Sequence, residues 1–390
     1  MDISFFFDPI SSAAVPVFER PIPQTLSRQT QAHTDEFPDW MSAEIIVMGI
    51  PESRGSLEGS GCEKAPNPIR EKFYRLSSPV ELLSIADLGN LKLGETVEDT
   101  CEKLRYVTEV LLKRGKIVIA LGGSQEIIYG LYQAYENLEL ELQYVNIDNR
   151  LDLVDSEMGL NNHSVNHRIF AHTPVFLDHF VNLGSQRFLV TEAEDKILQG
   201  LNFERIRVGE LYKNPRLAEP FLREADLVAL DLGALRMSEA PGNLHSSPAG
   251  LTVEQACQMM RYAGNGPTCT ALALCEFNPE YDLNEQTSYI SALLAWHFVE
   301  GYANRKPDYP DARRQNVKTF RAVLDSAVEE IIFYQSKLSE RWWMEVSPPL
   351  ANGQRPKPSR LVPCTEEDYQ RARAGEIPPR WWVFYRKMMG

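Results

Sequence analysis

Short apolar runs that stop on polar residues constrain this chain more than any other feature. Ala120-Leu-Gly-Gly-Ser-Gln-Glu126, Asn146-Ile-Asp-Asn-Arg-Leu-Asp152 and Ala229-Leu-Asp-Leu-Gly-Ala-Leu235 each follow such a run and place polar groups where it ends. Runs of this kind predict strands over 45–49, 116–121, 142–147, 188–190, 226–230 and 270–275. Helical patterns fall between them: one beginning near Pro68, then 99–113, 126–135 and 283–300. Apolar strands alternating with helices of this length predict a three-layer α/β architecture, its mainly parallel sheet covered on both faces. Ligands of such sheets bind beyond the carboxyl ends of the strands. Gly122, Asp148, Asp231 and Glu276 all fall at or just past predicted strand ends, so one crevice can gather them.

At 390 residues the chain suits one large α/β domain with additions, or two domains. The division expected is an N-terminal arm over 1–40, an α/β domain over 41–305 and a C-terminal extension over 306–390. The arm is rich in Pro, Gln, Ser and Phe and lacks periodicity; it is expected to pack on the body or stay partly unordered. The extension carries two Arg-Trp-Trp triplets, at Trp342-Trp343 and Trp381-Trp382, around a Pro-rich segment at 348–363. An aromatic clamp holding the tail on the body is one reading, and a partner interface the other.

A formal net charge of -14 argues against nucleic acid or an anionic membrane as partner. The six cysteines lack paired spacing, so neither a zinc ribbon nor a disulfide framework is indicated. With no charged-then-apolar leader and no apolar run of membrane-spanning length, the expected location is cytoplasmic.

Further short strings recur in a telling order: Gly49-Ile-Pro51, Ala65-Pro-Asn-Pro-Ile-Arg70, Asp87-Leu-Gly89, Ala240-Pro-Gly242, Gly250-Leu-Thr252 and Glu276-Phe-Asn-Pro279. Together with the strand-end motifs, the stretch 45–302 resembles the arginase, agmatinase and formimidoylglutamase (ureohydrolase) family. In general character it is nearest to formimidoylglutamase-type members. The resemblance implies an arginase-like fold and two divalent metals, usually manganese. Their bridging hydroxide attacks the carbon of a guanidinium or formimino group. The family's ligands come from Gly-Gly-Asp-His, Asp-x-His-x-Asp and Phe-Asp-x-Asp. Here those motifs read Gly122-Gly-Ser-Gln125, Asp148-Asn-Arg-Leu-Asp152 and Leu230-Asp-Leu-Gly233.

By the family's arrangement, one ion would therefore have Gln125, Asp148, Asp152 and Asp231. The other would have only Asp148 and Asp231, with Arg150 and Gly233 at lost-ligand positions. A guanidinium has no lone pair to offer a cation. Arg150 is expected to replace the second ion's charge by pairing with Asp148 or Asp231. The three aspartates are then either capping carboxylates held by Arg150 or the remnant of a mononuclear site. Cofactor expectations follow: none, or one divalent cation such as manganese, magnesium or calcium, and no dinuclear manganese.

Glu276 matches the family's substrate-side glutamate and would accept hydrogen bonds from an amidino group; otherwise it is a turn acceptor before Asn278-Pro279. His163 lies where the family has a substrate-loop histidine; His167 and His172 stand nearby in sequence as alternative ligands or ordinary polar groups. Ser124 lacks a Gly-x-Ser-x-Gly elbow, and Gly122-Gly123 lacks the Lys and Ser/Thr of a P-loop. The leading expectation is a ureohydrolase-like protein that has lost its dinuclear site and activity but keeps a pocket for a small amino-acid-like or amidino ligand. The alternative is a C–N hydrolase with a single ion, in which Glu276 and His163 handle the substrate. A structural subunit using the Trp-rich tail is a third reading. The resemblance also implies a homo-oligomer.

Overall fold

The computed structural model describes residues 2–15, 25–57, 61–80, 83–154, 157, 159–310, 313–324, 330–348 and 358–389. Most of the Pro-rich 348–363 segment and part of the N-terminal arm lie outside them.

Ten strands of the described residues form one sheet: β1 (Phe7–Asp8), β2 (Thr30–Ala32), β3 (Ile45–Gly49), β4 (Ile85–Leu91), β5 (Ile117–Leu121), β6 (Leu142–Ile147), β7 (Leu177–Ser185), β8 (Glu204–Arg207), β9 (Leu227–Asp231) and β10 (Ala271–Cys275). Their order is β1-β4-β3-β5-β10-β9-β6-β7-β8, with β2 also on β4. Every pairing is parallel except β1 with β4. The arm thus does more than lie on the body, since Phe7 pairs with Leu91 and Thr30 with Ile85 at the sheet's edge.

All residues of β3, β5, β6, β9 and β10 are buried. That is why each reads as an unbroken apolar run rather than an alternation. Alternate side chains still go to opposite faces. Ile45, Val47, Ile119 and Leu121 join a core with the helices Pro66–Phe73, Val253–Asn265 and Gln286–Ala303. Ile46, Met48, Val118 and Ala120 join the opposite core, with Val97–Leu112 and Ile127–Gln133.

The predicted strand over 188–190 is not formed; Arg187–Leu189 is a 3-10 turn. The strand there is β7, hidden from a search for apolar runs by Asp178, His179, Asn182 and Gly184. The helix Val253–Asn265 was also unread, although Thr252 and Gln255 form its capping box.

Two of the short motifs meet in a buried ion pair. Arg70 and Asp87 are both fully buried. Arg70 Nε donates to Asp87 Oδ2 at 2.7 Å and Nη2 to Oδ1 at 3.0 Å. The same guanidinium reaches Asn90 Oδ1 at 2.6 Å and Gly89 O at 2.8 Å. This fork ties the helix Pro66–Phe73 to β4.

The C-terminal extension forms a four-stranded antiparallel sheet: β11 (Val317–Val323), β12 (Glu330–Ser336), β13 (Trp342–Val346) and β14 (Arg360–Cys364), in that order. Helices Glu366–Arg373 and Pro379–Met389 follow. Trp342 and Trp381 fill this sheet's own core, and Trp343 faces the body, with the Arg223 guanidinium 4.4 Å from its ring centre. Docking is polar as well: Arg360 Nη2 lies 2.8 Å from Asp178 Oδ2, and Lys387 Nζ 2.7 Å from His179 Nδ1. Asp178 and His179 open β7, so the extension sits at the amino ends of the strands. A cavity of about 1010 Å³ opens there, lined by Arg223, Asp226, Trp343 and Lys387 among others.

Burial lowers the His179 pKa to about 4, against the pull of Glu204. Burial likewise raises Asp226 to about 7, reinforced by Glu224 and Asp178. No helix among the described residues is long and apolar enough to cross a membrane.

Removing one partner of the buried Arg70–Asp87 pair strands a charge, so Asp87→Ala should lose about 3–5 kcal/mol in denaturant unfolding. Asp226 has a folded pKa raised above its unfolded value of about 3.9. What it contributes as a neutral group is present below that value and lost as pH rises through about 7. Asp226→Asn should therefore gain in Tm relative to the wild type across that window and stay level above it. A pH series of melting curves checks this.

Candidate functional site

Because β5, β10, β9 and β6 are adjacent, their carboxyl ends deliver Gln125, Glu276, Asp231 and Asp148 to one place. All four side chains, and that of Asp152, are buried. The turn after β5 is possible only with glycine. Gly122 and Gly123 both have φ of +80°, and a Cβ on Gly123 would lie 2.8 Å from Ile50 O. Two site residues without that freedom also adopt left-handed backbone: Asp152 (φ 49°) and Glu276 (φ 64°). Such conformations cost roughly 1–2 kcal/mol in an L-residue and gather at functional sites.

Hydrogen-bond donors crowd these carboxylates. Gln125 Nε2 donates to Asp148 Oδ2 at 2.9 Å, and Asn146 Nδ2 reaches the same oxygen at 3.3 Å. The other oxygen accepts the Arg150 backbone N–H at 3.0 Å. Asp231 Oδ1 accepts the Gly233 N–H at 2.5 Å and Asn243 Nδ2 at 3.3 Å. Glu276 Oε1 accepts the Gln125 backbone N–H at 2.7 Å. Its Oε2 lies 3.8 Å from His245 Nε2 and 3.9 Å from Cys62 Sγ. The turn-cap role belongs instead to Asn278, whose Oδ1 accepts the Glu280 N–H at 2.9 Å.

The expected ion pair between Arg150 and Asp148 or Asp231 is not formed. Among the described residues no carboxylate stands within salt-bridge distance of the Arg150 guanidinium, and its buried Nε has no hydrogen-bond partner. What Arg150 gives Asp148 directly is its main-chain N–H. Its charge nevertheless acts at longer range, opposing the upward shifts of Asp152 and Asp231. Burial drives both shifts, and the charge of Asp148 adds to each, followed by Asp231 for Asp152 and by Glu276 for Asp231.

Gly233 does not leave a free ligand position behind. A Cβ there would meet Asp231 Oδ1 at 2.9 Å, Asn243 Oδ1 at 3.3 Å and His245 Cβ at 3.3 Å. Among the described residues, no group of three or more His, Cys, Asp or Glu stands where it could hold a metal ion.

His163 does reach the cluster, its Nδ1 3.7 Å from Asp152 Oδ1 and its ring 5.8 Å from that of His245. His172 does not; it hydrogen-bonds Tyr129 at 3.0 Å. His167 lies on the helix Val165–Phe170.

Sequence reasoning missed His245, Asn243 and Cys62. The first two follow Ala240-Pro-Gly242 directly, so position after a recognised string was the available signal. Glu126, next to Gln125, is a further buried acid. Ser124 Oγ donates to Glu126 Oε1 at 2.6 Å, and burial raises Glu126 to about 7 despite that bond, with Glu52 adding to the rise. Cys62 is no ready nucleophile, because burial and Glu276 push its thiol pKa far up.

A parallel α/β protein with acidic side chains gathered at the ends of its central strands is the class defined so far. The Arginase family model matches residues 43–300, and the chain belongs to the arginase family. It is 25% identical over 288 residues to the mitochondrial guanidino acid hydrolase of Homo sapiens, covering 67% of this chain and 78% of that protein. With the formimidoylglutamase of Bacillus subtilis (strain 168) it shares 21% over 301 residues, 70% of this chain and 93% of the relative. The crystal structure of Trypanosoma cruzi formiminoglutamase with manganese superposes with a TM-score of 0.63 at 21% identity, covering 68% of this chain and 95% of that one. That likeness shows the arginase-like fold.

Placing a carboxylate at this position by Gly233→Asp alone forces Asp231 or Asn243 to move. It should cost about 1–3 kcal/mol of unfolding free energy, measured by denaturant titration.

Proposed function

We propose that this arginase-family protein binds a small amino-acid-like or amidino ligand at the strand-end cluster without a dinuclear metal centre and without hydrolysing it. The observation carrying this reading is the Gln125 amide donating to Asp148 where the family pattern has a metal-ligating histidine. An amide N–H has no lone pair for a cation. Lone pairs of Asp148 and Asp231 that would face ions take protein N–H groups instead.

The ligand class follows from the same groups. A planar amidinium or guanidinium carries a positive charge and in-plane N–H donors, matching carboxylates such as Asp231 and Glu276. His163 and His245 border the same space. Among the comparisons, the formimidoylglutamases and the guanidino acid hydrolases bear names that fit this ligand class.

A second reading rests on the survival of Asp148, Asp152 and Asp231 with Gln125. One divalent cation held there would supply a hydroxide for C–N hydrolysis, with Glu276 and His163 positioning the substrate. Rotation of the Gln125 amide would turn its oxygen, rather than its N–H, toward the ion.

Metal content after dialysis with manganese separates the two. The proposal expects near zero per chain by mass spectrometry, no product from arginine, agmatine or formimidoylglutamate, and calorimetric binding of a guanidino acid that Glu276→Gln weakens about tenfold. One ion per chain with turnover would establish the second reading, and two would overturn both.

A further inference from the structure

A basic groove lies beside the strand-end site on a chain that is otherwise strongly acidic. β7 and β8 are neighbours at the sheet's far edge, and the groove opens at their carboxyl ends. Its lining includes Gln186, Arg187, Phe188, Arg205, Arg207 and Lys213, around about 630 Å³.

The positive groups there outnumber their partners. Arg205 Nη2 pairs with Asp195, 2.6 Å from its Oδ1. Glu210 Oε2 accepts the main-chain N–H of Arg207 at 2.9 Å and so serves the backbone. Among the described residues, Arg187, Arg207 and Lys213 have no carboxylate within salt-bridge distance; Arg187 Nη1 reaches only Val190 O, at 3.4 Å. Crowding is felt within the set, since the charges of Arg207 and Arg187 add to burial in weakening the hold of Arg205 on its proton. Four cations against two acids leave a net +2 in a chain of net charge -14.

Buried donors at the groove are also unused. Arg205, its side chain 9% exposed, has a buried Nη1 without a hydrogen-bond partner. Gln186, 1% exposed, accepts from Ser247 Oγ at 2.7 Å but leaves its Nε2 unpartnered. Unsatisfied buried donors are rare and costly. Phe188, 69% exposed, adds an apolar face at the rim.

We propose that this groove binds a phosphate-bearing small molecule, its oxyanion held by Arg187, Arg205, Arg207 and Lys213 and its organic part lying on Phe188. Guanidinium forks match phosphate oxygens bidentately, and the unpartnered donors at the floor favour a ligand rich in acceptors. Gln186 connects the groove to the strand-end cluster, because its main-chain N–H donates to Asn149 O at 2.9 Å, next to Asp148. Binding here does not depend on whether the strand-end cluster holds a metal or turns over a substrate.

Calorimetric titration of the full chain with inorganic phosphate, phenyl phosphate and succinate tests it at fixed ionic strength. Saturable binding of both phosphates is expected, with phenyl phosphate several-fold tighter and succinate weaker. The double variant Arg207→Met/Lys213→Met changes two exposed side chains, so the fold should survive; it should weaken phosphate at least about tenfold. Phe188→Ala should remove the advantage of phenyl phosphate while leaving inorganic phosphate unchanged. Absent phosphate binding, or binding unaltered in the double variant, would overturn the proposal. Succinate binding more tightly than phosphate would reassign the groove to carboxylates and overturn it equally.

Discussion

Everything at the strand-end site depends on how the Asp148 carboxylate is satisfied. It is fully buried at the end of a central strand, where an unpartnered charge is far too costly to keep. Side-chain and main-chain amides meet that need here: Gln125 and Asn146 on one oxygen, the Arg150 N–H on the other. The surrounding acids adjust to it. Asp152 and Asp231 feel both burial and the charge of Asp148, and their affinity for protons rises accordingly.

The two ends of the sheet are put to different uses. At the amino ends, the C-terminal extension is fastened by aromatic rings over arginines and by polar contacts of Arg360, Lys387 and Arg380 to Asp178, His179 and Glu204. At the carboxyl ends, glycine turns, left-handed Asp152 and Glu276, and unpartnered buried atoms accumulate. Left-handed Asp152 and Glu276 and unpartnered atoms such as Arg150 Nε thus stand where a parallel sheet presents its ligand site. The Trp-rich extension contributes packing at the opposite, amino ends of the strands.

Much of this was legible in the residues. Runs at 45–49, 116–121, 142–147, 226–230 and 270–275 all became strands within a residue or two, because strands buried on both faces need side chains apolar throughout. β7 escaped because its polar residues are paid for by specific tertiary partners. His179 has Glu204, and Asn182 donates to Arg150 O at 2.8 Å. The antiparallel C-terminal sheet escaped as well, because strands such as Val317–Val323 and Glu330–Ser336 interleave exposed polar residues with buried apolar ones and give no unbroken apolar run.

Sequence by itself determined which residue types stand at the strand ends: Gln125, Asp148, Arg150, Asp152, Asp231, Gly233 and Glu276. It could not decide how they meet. Arg150 looked like a counter-charge for Asp148 or Asp231, yet its main-chain N–H makes the contact, because backbone direction at a strand end fixes where that N–H points. His245 and Cys62 approach Glu276 from segments far apart in the chain, and the pairing of β7 with β8 brings Arg187 and Arg205 to one groove. Strand order sets those neighbours, and that order comes from long-range packing rather than from any local run of residues.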